Sequence, residues 1–107
     1  FRLPYADDTF DYVVETNALS GVATQRAVSA VIEEMVRVCK SGGEIRIGDY
    51  AAPPDTTRRT RLIESMMHLV GDYPHPYAAI LERMRCYVTY EALGWRGMYQ
   101  YIEARVP

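Results

Sequence analysis

Apolar residues along this chain follow two periods, and the switches between them mark out its elements. Residues 10–16, Phe-Asp-Tyr-Val-Val-Glu-Thr, combine aromatic and β-branched side chains behind an acidic turn (Ala6-Asp7-Asp8-Thr9), which predicts a short buried strand. Over residues 25–39 the spacing becomes helical. Val28, Val31, Ile32, Met35, Val36 and Cys39 form one apolar stripe. Thr24 is placed to cap this helix, and Lys40 followed by Gly42-Gly43 is expected to end it. From Glu44 to Gly48 the alternation of a strand returns. Strand, helix and strand in such close succession make a βαβ unit, with parallel pairing and a right-handed crossover.

Residues 51–54, Ala-Ala-Pro-Pro, break the pattern as a loop. A second helix is expected over residues 56–70, with Leu62, Ile63, Met66, Leu69 and Val70 on one side and Gly71 as its stop. Tyr73-Pro74-His75-Pro76 is extended, because each proline disfavours α geometry in the residue before it. Pro76 then opens a short helix carrying Tyr77, Ile80, Leu81 and Met84 on one face. Further on, Cys86, Val88 and Tyr90 alternate with polar neighbours, and residues 98–106 alternate again after the Gly94-Trp95-Arg96-Gly97 loop, so an antiparallel hairpin is expected. The expected fold is α/β in a single domain over residues 1–107. A parallel βαβ unit is followed by helices, three in all covering the sheet, and by a C-terminal antiparallel β-hairpin.

Composition narrows the picture only a little. Apolar content of 49% and charged content of 24% are ordinary globular values. The formal charge of −2 gives no electrostatic reason to expect nucleic acid or an anionic membrane as partner, and no apolar run is long enough to span a bilayer. Cys39 and Cys86 are too few and too far apart for a disulfide framework or a zinc motif. Two buried thiols suit a reducing cytoplasm, the expected location. The chain opens on Phe1, without Met and without the basic flank of a signal peptide, so it is expected to be a truncated piece of a longer protein or one whose start was removed.

Two motifs carry more. Leu3-Pro4-Tyr5-Ala6-Asp7 leading to Phe10-Asp11, and Arg37-Val38-Cys39-Lys40-Ser41-Gly42-Gly43 ahead of the second strand, resemble the entries to the fourth and fifth strands of class I S-adenosylmethionine-dependent methyltransferases. The likeness is close over residues 2–50 and continues beyond as an order of elements. It implies a partial Rossmann-like methyltransferase sheet, the C-terminal half of that domain. Read from the residues alone, Pro4 stiffens the approach to the strand, and Asp11 can bond backbone N–H groups at the strand entrance. Gly42-Gly43 permit a left-handed turn at the helix end. A plain βαβ unit would use the same devices.

The resemblance also implies sites. Thr16, Asn17, Ala18 and Leu19, just past the first strand, would lie under the amino-acid part of the cofactor, touching it largely through backbone carbonyls. Leu3 would lie near the adenine. Asn17 can equally serve only an awkward turn conformation. The family's glycine-rich loop and its ribose-gripping acid have no counterpart in these 107 residues, whose one adjacent glycine pair is Gly42-Gly43. S-adenosylmethionine is therefore the cofactor of the intact family, and these residues alone are not expected to bind it. Tyr50, Tyr73 and Tyr77 are expected to shape a pocket for a small-molecule acceptor, with His75 or Asp49 taking its proton. Methyl transfer is an in-line displacement from a sulfonium, so positioning contributes most of the rate and a base is optional. The same tyrosines can simply cover the sheet edge. His68, Asp72 and His75 lack a fourth ligand, so no metal is expected. Arg58-Arg59-Thr60-Arg61 has the make-up of a phosphate patch but reads first as the solvated first turn of a helix, even though cations there oppose the helix dipole. The first strand's open edge is expected to pair with a second copy, giving a homodimer, or with another chain. A non-catalytic module that binds a partner in this way is the rival to a transferase.

Overall fold

The computed structural model describes residues 1–53 and 56–107. In chain order its elements are β1 (Phe10–Thr16), α1 (Gln25–Val38), β2 (Cys39–Tyr50), α2 (Arg58–Leu69), α3 (Tyr77–Arg83), β3 (Tyr87–Gly94) and β4 (Tyr99–Arg105). The strands form one sheet in the order β1-β2-β4-β3. β1 runs parallel to β2, with Tyr12 opposite Glu44 and Thr16 opposite Gly48. β4 lies antiparallel to both β2 and β3. The expected α/β architecture is thus present, from the βαβ unit to the closing hairpin.

The stripe on α1 makes the core. Thr24 Oγ1 accepts the Ala27 N–H at 3.2 Å and starts the helix as its sequence implied. Val28, Ile32 and Met35 then pack on Ile45 and Ile47 of β2 and Ile102 and Ala104 of β4. α3 brings Tyr77, Ile80 and Leu81 into the same cluster. These residues fill one face of the sheet. On the other face Tyr12 and Val14 are exposed, and the Arg46 guanidinium lies 5.0 Å from the centre of the Tyr12 ring.

Four expectations need correction. β1 is not the buried strand expected: of its seven residues only Glu15 is buried, because one face of the sheet is left uncovered here. Cys39 is already extended and opens β2, ahead of the glycines, so these shape the strand entrance instead of the helix end. Gly42 has φ +77°, and a Cβ on Gly43 would meet Cys39 Sγ at 2.7 Å, the Lys40 carbonyl at 2.8 Å and the Asp11 carbonyl at 2.9 Å. The ladder shifts register here, with Phe10 facing Cys39 and Tyr12 facing Glu44. Asp11 does not organise backbone N–H groups; its exposed carboxylate faces Lys40 Nζ at 3.5 Å. Finally, α2 does not cover the sheet. Its start is fixed locally, by a capping box between Thr57 and Thr60, and it buries only Thr60 and Met67. The predicted stripe exists, but Leu62, Met66, Leu69 and Val70 face outward. Pro54, in the expected loop, lies outside the described residues.

Candidate functional site

The turn after β1 is held by acids from both parallel strands. Asn17, with φ +55°, donates its N–H to the Gly48 carbonyl at 3.0 Å, extending the β1–β2 ladder past its end. The Asn17 side-chain oxygen accepts the Tyr99 hydroxyl at 3.1 Å. Glu15 Oε1 accepts the N–H groups of Ala18 and Leu19 at 2.7 and 2.9 Å. Asp49 Oδ2 accepts those of Leu19 and Ser20 at 3.0 and 3.3 Å, and Oδ1 takes Tyr50 N–H at 2.7 Å. A tight turn thus keeps its donors satisfied away from water. Burial first, then the neighbouring Asp49, push the Glu15 carboxyl up to about 8. Glu15 Oε2 is buried without a hydrogen-bond partner among the described residues, as is the Tyr77 hydroxyl. Burial likewise raises the Tyr77 phenol well above its usual range.

This turn occupies the carboxyl ends of two parallel strands, where open α/β sheets take their ligands. Thr16, Asn17 and Ala18 are exposed there and Leu19 is buried. The carbonyls of Ala18, Leu19 and Ser20 already accept the N–H groups of Gly21, Val22 and Tyr73, at 3.2, 3.0 and 2.6 Å. Leu3 and Glu15 line one apolar recess of about 340 Å³, together with Phe1, Val14, Val31 and Met35. Leu3 is fixed by α1: its N–H donates to Glu34 Oε1 at 2.8 Å and its carbonyl accepts from Arg37 at 3.1 Å. Arg37 also holds the Tyr5 carbonyl at 2.9 Å and Asp7 at 2.7 Å. Its bond to Glu34 keeps that carboxyl down at about 2.

The two expected proton acceptors are enclosed. Asp49 is wholly buried under the turn. His75 is 4% exposed, with Nε2 at 2.7 Å from the Val22 carbonyl. Against a carbonyl that nitrogen must carry the hydrogen. His75 also bridges to Ala51, its carbonyl accepting the Ala52 N–H at 3.0 Å, so it clamps the segment after the turn to the end of β2. Tyr77 is a core residue, 0% exposed and packed edge-on to the His75 ring, and it walls no open pocket. Tyr73 is half-buried over His68, with ring centres 5.3 Å apart.

Tyr50 faces an open recess of about 260 Å³, which it lines with Trp95 and Tyr99. The rings meet edge to face at 6.0 and 5.2 Å. Sequence reasoning missed Trp95 and Tyr99 as site residues. The available signal was one aromatic inside a glycine-bounded hairpin loop and another two residues past it, and it is the β2–β4 register that sets Tyr99 opposite Tyr50. Among the described residues, no group of three or more His, Cys, Asp or Glu is arranged to hold a metal ion, and no helix is long and apolar enough to cross a membrane.

Residues 1–47 match the family model described as a methyltransferase domain. The demethylmenaquinone methyltransferase of Mycobacterium tuberculosis is 29% identical over 111 residues, covering 91% of this chain and 46% of that protein. The chain thus spans about half the length of the curated relatives it matches. Among solved structures, a putative methyltransferase from Bacillus halodurans C-125 superposes with a TM-score of 0.76 at 12% identity, over 99% of this chain and 68% of the other. Geranyl diphosphate methyltransferase in complex with SAM does so with a TM-score of 0.75 at 12% identity, over 98% and 54%. The strand-entry motifs, the parallel unit and these likenesses agree: over residues 1–47 the chain is similar to a methyltransferase domain, and its fold is that of part of a class I S-adenosylmethionine-dependent methyltransferase.

Proposed function

We propose that these residues form one part of an S-adenosylmethionine-dependent methyltransferase for a small organic acceptor, and that by themselves they neither hold the cofactor firmly nor transfer a methyl group. The observation that carries this reading is the turn of residues 17–20, pinned by Glu15 and Asp49 beyond the carboxyl ends of β1 and β2. Thr16, Asn17, Ala18 and Leu19 would support the amino-acid part of the cofactor, and Leu3 the adenine. The fit is one-sided. No glycine-rich loop is present to approach the ribose and amino-acid parts of the cofactor, and three of the turn's carbonyls are already engaged.

When bound, S-adenosylmethionine supplies an activated methyl group on sulfur. The residues here act by orientation. Tyr50, with Trp95 and Tyr99, presents ring edges and faces against which a flat acceptor can lie. Demethylmenaquinone, named for the mycobacterial relative, is the first acceptor to try. Asp49 and His75 are positioning residues in this reading: the first fixes the turn, the second fixes the turn's exit against β2. Tyr73 supports the turn through its N–H on Ser20. A cytoplasmic location accompanies the proposal.

A second reading rests on β1. It is an edge strand, and Tyr12 and Val14 are 60% and 61% exposed. Such an edge can pair with a second copy, making the chain a partner-binding module. Calorimetry separates the two readings. The 107-residue chain should give no heat with S-adenosylmethionine. The product of the reading frame continued upstream of Phe1 should bind it with a Kd in the micromolar range and methylate a quinol-type acceptor. Micromolar binding by the 107 residues would overturn the first half of the proposal. A self-associating extended product without methyl transfer would favour the partner-binding reading.

A further inference from the structure

α2 holds its apolar stripe out to solvent. Leu62, Met66 and Leu69 follow at i, i+4 and i+7 and are 64%, 59% and 86% exposed, with Val70 beside them at 76%. Exposed apolar residues lined up in this way mark a docking surface.

The charges around the stripe select the partner. Arg58 and Arg59 precede Leu62 by four and three positions, which puts them on the same face one turn earlier, and both are exposed. Arg61 is exposed beside them. The helix's one acid, Glu64, lies on another side, 3.9 Å from His68 Nε2. Cations in the first turn oppose the helix dipole. An anionic surface at this end would be attracted by the arginines and by the helix N-terminus together. Trp95 adds an interfacial ring, lining a recess with Met66, Met67 and Val70. Arginine heads above leucine and methionine side chains suit the boundary between anionic headgroups and acyl chains.

We propose that α2 and Trp95 form a peripheral docking site for an anionic lipid surface, Leu62, Met66 and Leu69 entering the acyl boundary while Arg58, Arg59 and Arg61 meet the phosphates. The whole-chain charge of −2 had given no reason to expect such a partner. The local distribution on this one helix, three arginines against one glutamate, reverses that expectation. The site shares Trp95 with the proposed acceptor recess, but the α2 stripe and its arginines lie outside that recess, so the proposal holds whether or not that reading does.

The test is co-sedimentation of the chain with vesicles of phosphatidylcholine alone and of phosphatidylcholine mixed with phosphatidylglycerol. The emission of Trp95, the one tryptophan, reports contact directly. The chain should bind the mixed vesicles, with a blue shift, and the neutral ones far less. Leu62→Gln with Leu69→Gln, or Arg58→Glu with Arg59→Glu, should each weaken binding by about tenfold or more. Leu93→Gln, an exposed change on β3, should leave it intact. Circular dichroism confirms that the surface variants fold. Absence of binding to anionic vesicles overturns the proposal, as does binding that survives both double substitutions. Self-association abolished by the leucine pair, without vesicle binding, would assign the stripe to a second copy instead.

Discussion

Glu15 and Asp49 stand on neighbouring parallel strands and aim carboxylate oxygens at the same backbone N–H, that of Leu19, at 2.9 and 3.0 Å. Two carboxylates converging in a buried place repel each other if both are charged. The conflict is relieved by the Glu15 proton, retained up to about pH 8 because burial, and then Asp49, disfavour its loss. The turn that would face a ligand is therefore built on one protonated acid and its neighbour, and its geometry is tied to pH.

The sign of that dependence follows from linkage. Unfolded, the Glu15 carboxyl titrates near its ordinary 4.5, and folded near 8. Between those values the folded chain binds the extra proton, so stability falls as pH rises from about 4.5 to about 8, then levels off. Glu15→Gln keeps an oxygen for the Ala18 and Leu19 N–H groups and removes the titration. Its melting temperature should vary less over this range, and at pH 8 it should exceed the parent in stability by ~1–2 kcal/mol. Thermal melts across the interval check this; an unchanged slope in the variant would clear Glu15 of responsibility.

Gly42 and Gly43 adjoin in sequence and differ in what a methyl group would meet. At Gly42 the cost of alanine is conformational, since φ is +77° with open space around it, and should be about 1–2 kcal/mol. At Gly43 the added carbon would lie 2.8 and 2.9 Å from two carbonyl oxygens and 2.7 Å from Cys39 Sγ. Gly43→Ala should cost about 2–3 kcal/mol, through separation of β1 from β2 at the register shift. Cys39→Ala in the same chain should recover only part, because the carbonyls remain. Urea denaturation of the three variants measures both effects.

β1 and α1 were legible because their information is local. A run of aromatic and β-branched residues after an acidic turn, and a stripe begun by Thr24, specify themselves. The start of β2 at Cys39 was hidden, since it depends on how closely Gly43 approaches the Asp11 carbonyl on another strand. For α2 the period revealed that a stripe exists, but a period cannot say what the stripe faces. Asp49 and His75 were singled out for their chemistry, which a sequence displays; their enclosure by residues 17–22 is tertiary and is not displayed. Trp95 and Tyr99 meet Tyr50 only through pairing of β2 with β4.

Arg37 ties the amino-terminal segment to α1 through Glu34, Leu3, Tyr5 and Asp7. Because Arg37 holds the Glu34 carboxyl at about 2, against its ordinary 4.5, this contribution is complete above about 4.5 and is lost as pH falls through about 2. The segment should therefore stay docked, and resist pepsin, at about pH 3. Arg37→Gln should move its release upward toward pH 4.5. Exchange of the Leu3 amide, bonded to Glu34, should quicken by roughly tenfold in the variant at neutral pH. Protection unchanged at that amide would show that apolar packing of Phe1 and Leu3 holds the segment instead.

His75 offers the clearest separation between a base and a positioning residue. A general base would contribute about 10²–10⁴-fold to the rate in the intact enzyme, and its loss would remove the acidic limb of the kcat/KM profile. A residue that works by donating from Nε2 to the Val22 carbonyl behaves differently, because an amide N–H can replace the imidazole donor. His75→Gln should keep kcat within about tenfold of the parent and leave the shape of the pH profile unchanged. His75→Ala should lose about 1–3 kcal/mol of stability, by leaving the buried carbonyl without its donor. Its kcat should fall with the folded fraction. Steady-state kinetics of both variants across pH, set beside their melting curves, decide the role: a glutamine variant that folds normally but has lost the acidic limb would restore His75 as the base.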